Sequence, residues 1–300
     1  MEETVRVACV QAESVVFDRA ATVDKIDGLA AEVAGEGARL ALFPEAFIPV
    51  YPSNRWVRFL AGWNDSTEIF GRLSRESITV PGPDADRLAD IARTNSLWLA
   101  VGANELVRGT IYNALLVFSP DGGLALHHRK LMPTNHERLV WGLGDGDGLE
   151  AIATDLGKVG GLICWENLMP LARFALYESG VEIYLAPTAD DSDAWHDSIR
   201  HIAREARAFV LSSCVFQRAS SYPEDVALAE GDELVGRGGS AILAPDGSYL
   251  AGPLWDEEGI LYADLDPLRL HGARQRFDPA GHYHRPDVFD FALARNRAAG

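Results

Sequence analysis

Short apolar runs rich in Val, Ile, Leu and Ala alternate along the chain with longer charged stretches. Ten runs read as strands: residues 5–11, 40–43, 97–102, 114–118, 125–130, 159–164, 183–186, 209–216, 240–244 and 259–265. Several are apolar throughout, the pattern of strands buried on both faces. Four stretches read as helices: 20–36, 84–95, 168–179 and 193–208. In the first of these, Val23, Ile26, Ala30 and Val33 form one stripe with charges elsewhere, which suits packing on a sheet. Turn signals punctuate the strands. Pro120-Asp121-Gly122-Gly123 joins two of them as a hairpin, and Pro245-Asp246-Gly247 marks another turn. The pattern predicts an α/β protein with mixed sheets. Residues 51–77 read as an irregular insertion over one edge.

No repeat of solenoid length, low-complexity tract or long linker interrupts this alternation, so one domain over residues 1–300 is expected. Residues 267–300 are expected to form a C-terminal tail, polar and loop-like from His271. An apolar content of 47% over 300 residues is enough for a substantial core. Lys plus Arg is 27 against 44 for Asp plus Glu, a formal charge of -17. Such a chain repels phosphate backbones and anionic lipid, so no nucleic-acid and no membrane partner is expected. The three cysteines, Cys9, Cys164 and Cys214, are too few and odd in number for a disulfide framework. No secretory signal is visible and no apolar run is long enough to span a bilayer, so a cytoplasmic location is expected.

Three reactive residues share one setting, each ending or following an apolar run. Glu45 closes ARLALFPEAF, Lys130 closes LALHHRKLMP and Cys164 closes KVGGLICWEN. Strand ends hold reactive groups on a rigid scaffold. Cys164 stands at a strand-to-helix corner, where a helix N-terminus favours the thiolate. Cys9 and Cys214 fall inside apolar runs and read as small buried residues. Taken singly, Glu45 reads better as a helix-start carboxylate or a solvated surface charge, and Lys130 as a surface lysine beside His127, His128 and Arg129. As a set they make chemical sense: a carboxylate to take the thiol proton and activate water, and an ammonium to stabilise developing negative charge.

These motifs resemble the nitrilase superfamily of carbon–nitrogen hydrolases. FPEAF, HHRKLMPTNHERLVWG and GGLICWENLMPLAR occur in the family's order, and the likeness extends to VACVQAE, YLAPTAD and GHYHRPDVF. The resemblance implies a four-layer α-β-β-α sandwich with two central mixed sheets. It implies catalytic roles for Glu45, Lys130 and Cys164, with Glu137 of NHERLVWG as a supporting carboxylate. The run Cys164-Trp165-Glu166-Asn167 and the stretch ERLVWGLGDGDGL resemble the nitrilase branch. That branch implies a small-molecule nitrile substrate hydrolysed to the acid and ammonia through a covalent thioimidate and thioester on Cys164, with no metal and no organic cofactor. It also implies a homodimer or higher even-numbered homo-oligomer, with residues 168–179 at an interface. Tyr51, Trp56 and Trp165 are candidate substrate-binding residues, with Pro187 and Thr188 on the opposite wall. His136 reads as a turn residue. Three alternatives stay open: an amidase or N-carbamoyl amidohydrolase on the same site, a histidine metal hydrolase using His127, His128, His282 or His284, and an inactive scaffold.

Overall fold

The computed structural model describes residues 1–61, 66–226, 228 and 233–294. The first half supplies β1 (Val5–Gln11), α1 (Arg19–Gly35), β2 (Leu40–Leu42), α2 (Asn54–Val57), α3 (Ser66–Glu76), α4 (Pro83–Thr94), β3 (Trp98–Val107), β4 (Thr110–Phe118) and β5 (Leu124–Arg129). The second supplies β6 (Ile152–Thr154), β7 (Gly157–Gly161), α5 (Pro170–Glu178), β8 (Ile183–Leu185), α6 (Asp193–Ala206), β9 (Phe209–Ser212), β10 (Phe216–Arg218), β11 (Leu234–Leu243), β12 (Tyr249–Trp255), β13 (Gly259–Leu265) and α7 (Pro267–Arg276).

The strands form two mixed sheets. One runs β13-β1-β2-β3-β4-β5; the other runs β10-β11-β9-β8-β7-β6, with β12 paired to β11. The central neighbours β1-β2-β3 and β7-β8-β9 are parallel, and the outer pairs are antiparallel. Side chains alternate across a strand, and here the alternation feeds two layers. Val7 and Cys9 of β1 join Leu42, Leu115 and Val117 against Val159, Ile183, Leu185 and Leu211 of the other sheet. Ala8 and Val10 point outward, under Val23, Ile26, Ala30 and Val33 of α1 and Leu88 and Ile91 of α4. On the far side, Tyr184, Val210 and Leu243 pack under α5 and α6 through Leu176, Trp195, Ile199 and Ile202. The result is the four-layer α-β-β-α sandwich that the motifs imply.

Several elements differ from expectation. The run 209–216 is not one strand; it breaks after Ser212, where Cys214 N–H turns to the Ser240 hydroxyl and Val215 N–H to the Thr188 carbonyl. Cys214 is therefore buried in the break rather than inside a strand. The helix expected from residue 168 begins at Pro170, after one turn of 3-10 helix over Cys164–Leu168. Residues 267–276, expected as tail, form α7: Asp266 caps it by accepting from Leu268 N–H at 2.9 Å, Pro267 starts it, and Leu270 is buried. The described part of 51–77 is mostly helical, with Val57, Leu60 and Leu73 packed beside Phe17, Trp56 and Trp141.

Candidate active site

Four loops converge at one edge of the sandwich. Glu45 lies three residues past β2, in a turn where Ala46 takes a left-handed φ of 48°. The turn lies directly on β3 because Gly102 has no side chain; a Cβ there would sit 2.2 Å from the Pro44 carbonyl oxygen. Lys130 continues β5, its N–H donating to the Asn113 carbonyl at 2.8 Å. The strand is backed by Gly144, whose N–H donates to the Lys130 carbonyl at 2.8 Å and where a Cβ would lie 2.1 Å from the Arg129 carbonyl oxygen. Glu137 lies in a short 3-10 turn, Asn135–Leu139. Cys164 also has a left-handed φ, 51°, which turns the chain sharply out of the second sheet. Its N–H donates to the Pro187 carbonyl at 2.8 Å.

Glu45, Lys130, Glu137 and Cys164 are all buried. The Lys130 ammonium bridges the two carboxylates, at 2.7 Å from Glu45 Oε1 and 2.7 Å from Glu137 Oε2. Asn113 Nδ2 also donates to Glu45 Oε1, at 2.7 Å, while Glu45 Oε2 has no hydrogen-bond partner among the described residues. Glu137 is held by the Tyr51 hydroxyl at 2.8 Å and by Thr134 N–H at 2.6 Å. The Thr188 hydroxyl donates to Cys164 Sγ at 3.2 Å and accepts from Asp190 N–H at 2.9 Å.

The charges follow from this burial. Burial pushes Glu45 up, Lys130 opposes it and Glu137 adds to it, leaving its carboxyl at about 7. Burial works to lower Lys130, but the carboxylate charges of Glu45 and Glu137 outweigh it and hold the ammonium above its ordinary range. Burial also pushes the Cys164 thiol up, with Glu45 adding and Lys130 opposing. This corrects the expectation of a thiolate favoured by a helix end: α5 starts six residues further on, and at rest the sulfur keeps its proton. The set therefore joins a protonated thiol, a carboxyl poised to take or give a proton near neutrality, and a fixed cation.

The expected substrate-binding residues separate. Tyr51 lines a cavity of about 780 Å³, together with His136, Ala189, Val215, Gln217 and Tyr222. His136 is thus both in a turn and on the cavity wall, 3.5 Å from the Tyr51 hydroxyl. Pro187 and Thr188 contact Cys164 directly through the bonds given above. Trp56 does not line the cavity; it is fully buried, edge-on to Phe17 at 5.4 Å. Trp165 is half exposed, donates to Asp190 at 2.7 Å, and faces a separate depression with Met132, Pro133 and Met169. The histidines considered as metal ligands are dispersed: His127 meets Glu105, His128 meets Glu166, and His284 packs on Phe174. Among the described residues no three His, Cys, Asp or Glu side chains group as a metal site.

Two site residues were missed from the sequence. Asn113 interrupts the apolar run of β4, and a polar residue in a buried strand was the available signal. Glu166 read only as part of a motif, yet its buried carboxylate accepts from Leu131 and Ile163 N–H, each next in sequence to a residue of the site.

The family model described as Carbon-nitrogen hydrolase matches residues 6–275. Nitrilase 1 of Arabidopsis thaliana is 44% identical over 300 residues, covering 97% of this chain and 87% of the plant protein. An aliphatic nitrilase of Sinorhizobium fredii (strain HH103) is 45% identical over 293 residues, covering 96% and 95%. In fold, a carbon-nitrogen hydrolase crystal structure from Helicobacter pylori G27 matches with a TM-score of 0.75 at 21% identity, over 95% of this chain and 96% of that one. The chain belongs to the carbon-nitrogen hydrolase family.

Proposed function

We propose that this hydrolase is a nitrilase, converting an organic nitrile and two waters to the carboxylic acid and ammonia, with Cys164 as nucleophile. The observation that carries the reading is the buried Lys130 ammonium bridging Glu45 and Glu137 beside the Cys164 thiol. The 44–45% identity to the two nitrilases over nearly the whole chain supports the nitrile as substrate.

Cys164 Sγ attacks the nitrile carbon while Glu45, a carboxyl near 7, takes the thiol proton as the sulfur–carbon bond forms. Negative charge grows on the nitrile nitrogen. Lys130 stabilises that charge, and the proton held by Glu45 passes to nitrogen to give the thioimidate. Glu45, ionised again, takes a proton from water as the water oxygen bonds to carbon. It returns that proton to nitrogen, giving a tetrahedral aminol; the hydroxyl proton then passes to the nitrogen through Glu45 as the C=O forms and ammonia departs, leaving a thioester. A second water, activated the same way, releases the acid and restores the thiol. Glu137 keeps Lys130 charged and placed, and Tyr51 ties Glu137 to the cavity wall. Tyr51 lines the cavity on the substrate side, and Pro187 and Thr188 hold Cys164 through its N–H and its sulfur; no substrate-binding role is assigned to Trp56 or Trp165. The reaction as written needs no cofactor.

The chain works as one domain and assembles as a homodimer or small even-numbered oligomer. The exposed apolar side chains Trp165 and Leu168 of the 3-10 turn, Met169 at the N-cap of α5 and Leu171 within it support a self-association face there. Three unpaired cysteines fit a reducing cytoplasm, and no helix among the described residues is long and apolar enough to cross a membrane. Ammonia release over a panel of nitriles and their matched primary amides tests the reading. Nitriles should be turned over faster, with acid as the main product. Fast amide hydrolysis with no nitrile turnover would instead make the enzyme an amidase.

A further inference from the structure

We propose that Glu166 and His128 form a positioning clamp that fixes the Cys164 turn against the Lys130 strand. Glu166 is two residues after Cys164 in the 3-10 turn and is 1% exposed. Its carboxylate accepts four contacts. Oε1 takes Leu131 N–H at 2.6 Å and His128 Nε2 at 3.2 Å; Oε2 takes Ile163 N–H at 2.7 Å and His128 Nε2 at 3.0 Å. Leu131 follows Lys130 and Ile163 precedes Cys164. One carboxylate therefore holds the backbone on the first-sheet side and the backbone on the second-sheet side, at the two residues that carry the chemistry. β5 is an edge strand of its sheet, and this bridge ties its end to the Cys164 turn.

His128 completes the clamp. It is fully buried, two residues before Lys130. Its Nδ1 has no partner among the described residues, and its Nε2 faces both carboxylate oxygens of Glu166, which can only accept, so Nε2–H donates there. A buried carboxylate without its donors is costly, and this one finds them only when both loops are in register. The clamp touches no reacting atom. It acts by setting where the Lys130 ammonium and the Cys164 sulfur lie relative to each other, and a displacement of about 1 Å at such a site costs on the order of 100-fold in rate.

The proposal rests on Cys164 as nucleophile, so the test includes a readout that needs no nitrile. Three variants are compared with wild type: Glu166→Gln, which keeps shape but faces backbone donors with an amide; His128→Leu, which removes the donor; and His128→Gln, which restores one near the Nε2 position. Turnover and iodoacetamide labelling of Cys164 are measured on protein shown by circular dichroism to be folded. Glu166→Gln and His128→Leu should lose about 100-fold in kcat with KM little changed, and label more slowly in parallel, while His128→Gln recovers much of both. Wild-type kcat and labelling in folded Glu166→Gln or His128→Leu would overturn the clamp, and so would a loss carried by KM alone. If no nitrile is turned over even by wild type, the labelling rates still decide the clamp while the substrate assignment fails separately.

Discussion

Lys130 Nζ and Glu45 Oε1 lie 2.7 Å apart with both side chains fully buried, and the same ammonium is 2.7 Å from Glu137. One cation thus serves two carboxylates in a buried space. Removing a single member of a buried set leaves the others uncompensated, so charge and shape at this position are separable by mutation.

Lys130→Arg keeps the charge, but a planar guanidinium does not fit a gap shaped for an ammonium bridging two oxygens. Turnover should fall about 100- to 1,000-fold, as when a transition-state donor is lost. Lys130→Ala should be equally inactive and also destabilised by about 3–5 kcal/mol, because Glu45 and Glu137 then face each other unpaired. Steady-state rates and urea denaturation of both variants check this.

Glu45 at about 7 predicts a rising limb in kcat/KM as pH passes through that value, since the ionised carboxylate must take the thiol proton. Glu45→Gln should be inactive and lack the limb. The stability consequence has the opposite sign. The folded-state pKa lies above the unfolded one, so the stability Glu45 contributes is fully present below its unfolded value and lost as pH rises through about 7. Glu45→Gln should therefore match wild type in Tm at low pH and exceed it above pH 7. A Tm below wild type at alkaline pH would contradict the charge assignment.

Tyr51→Phe removes only the hydroxyl that donates to Glu137 at 2.8 Å. A hydrogen bond to a charged group contributes about 1.5–3 kcal/mol. If that contribution is needed to hold Lys130, kcat/KM should drop about 10- to 100-fold, with the fold intact by circular dichroism.

Much of this was legible from the sequence, for identifiable reasons. Strands buried on both faces, such as β1 and β9, announce themselves as apolar runs. β12 did not, because Gly252 and Pro253 interrupt it and much of it is exposed. The run 209–216 hid its break because Cys214 and Val215 are as apolar as the strand around them. Glu45, Lys130, Glu137 and Cys164 were found through motifs, and the structure brings them together. Trp56, a candidate for substrate binding, lies in α2 and packs on Phe17 instead, because a tryptophan in a short polar stretch looks alike in sequence whether it faces a cavity or the core. Glu166 escaped because its partners, the N–H groups of Leu131 and Ile163, exist as partners only once two separate loops meet.

Cys164→Ala should abolish turnover by about 10⁴-fold or more. Its fold should survive, since alanine fits where cysteine did. Cys9→Ala and Cys214→Ala should retain most activity: both thiols are pushed well up by burial, and neither contacts Lys130. Rates on the three purified variants check this.

The most direct measurement is the site of the covalent intermediate. Wild-type enzyme mixed with a turned-over nitrile, quenched in acid within the first turnover and digested for peptide mass spectrometry, should carry the thioimidate or acyl mass on Cys164 alone. Substrate-derived mass on Cys9, Cys214 or a non-cysteine residue, with Cys164 unmodified, would contradict the account.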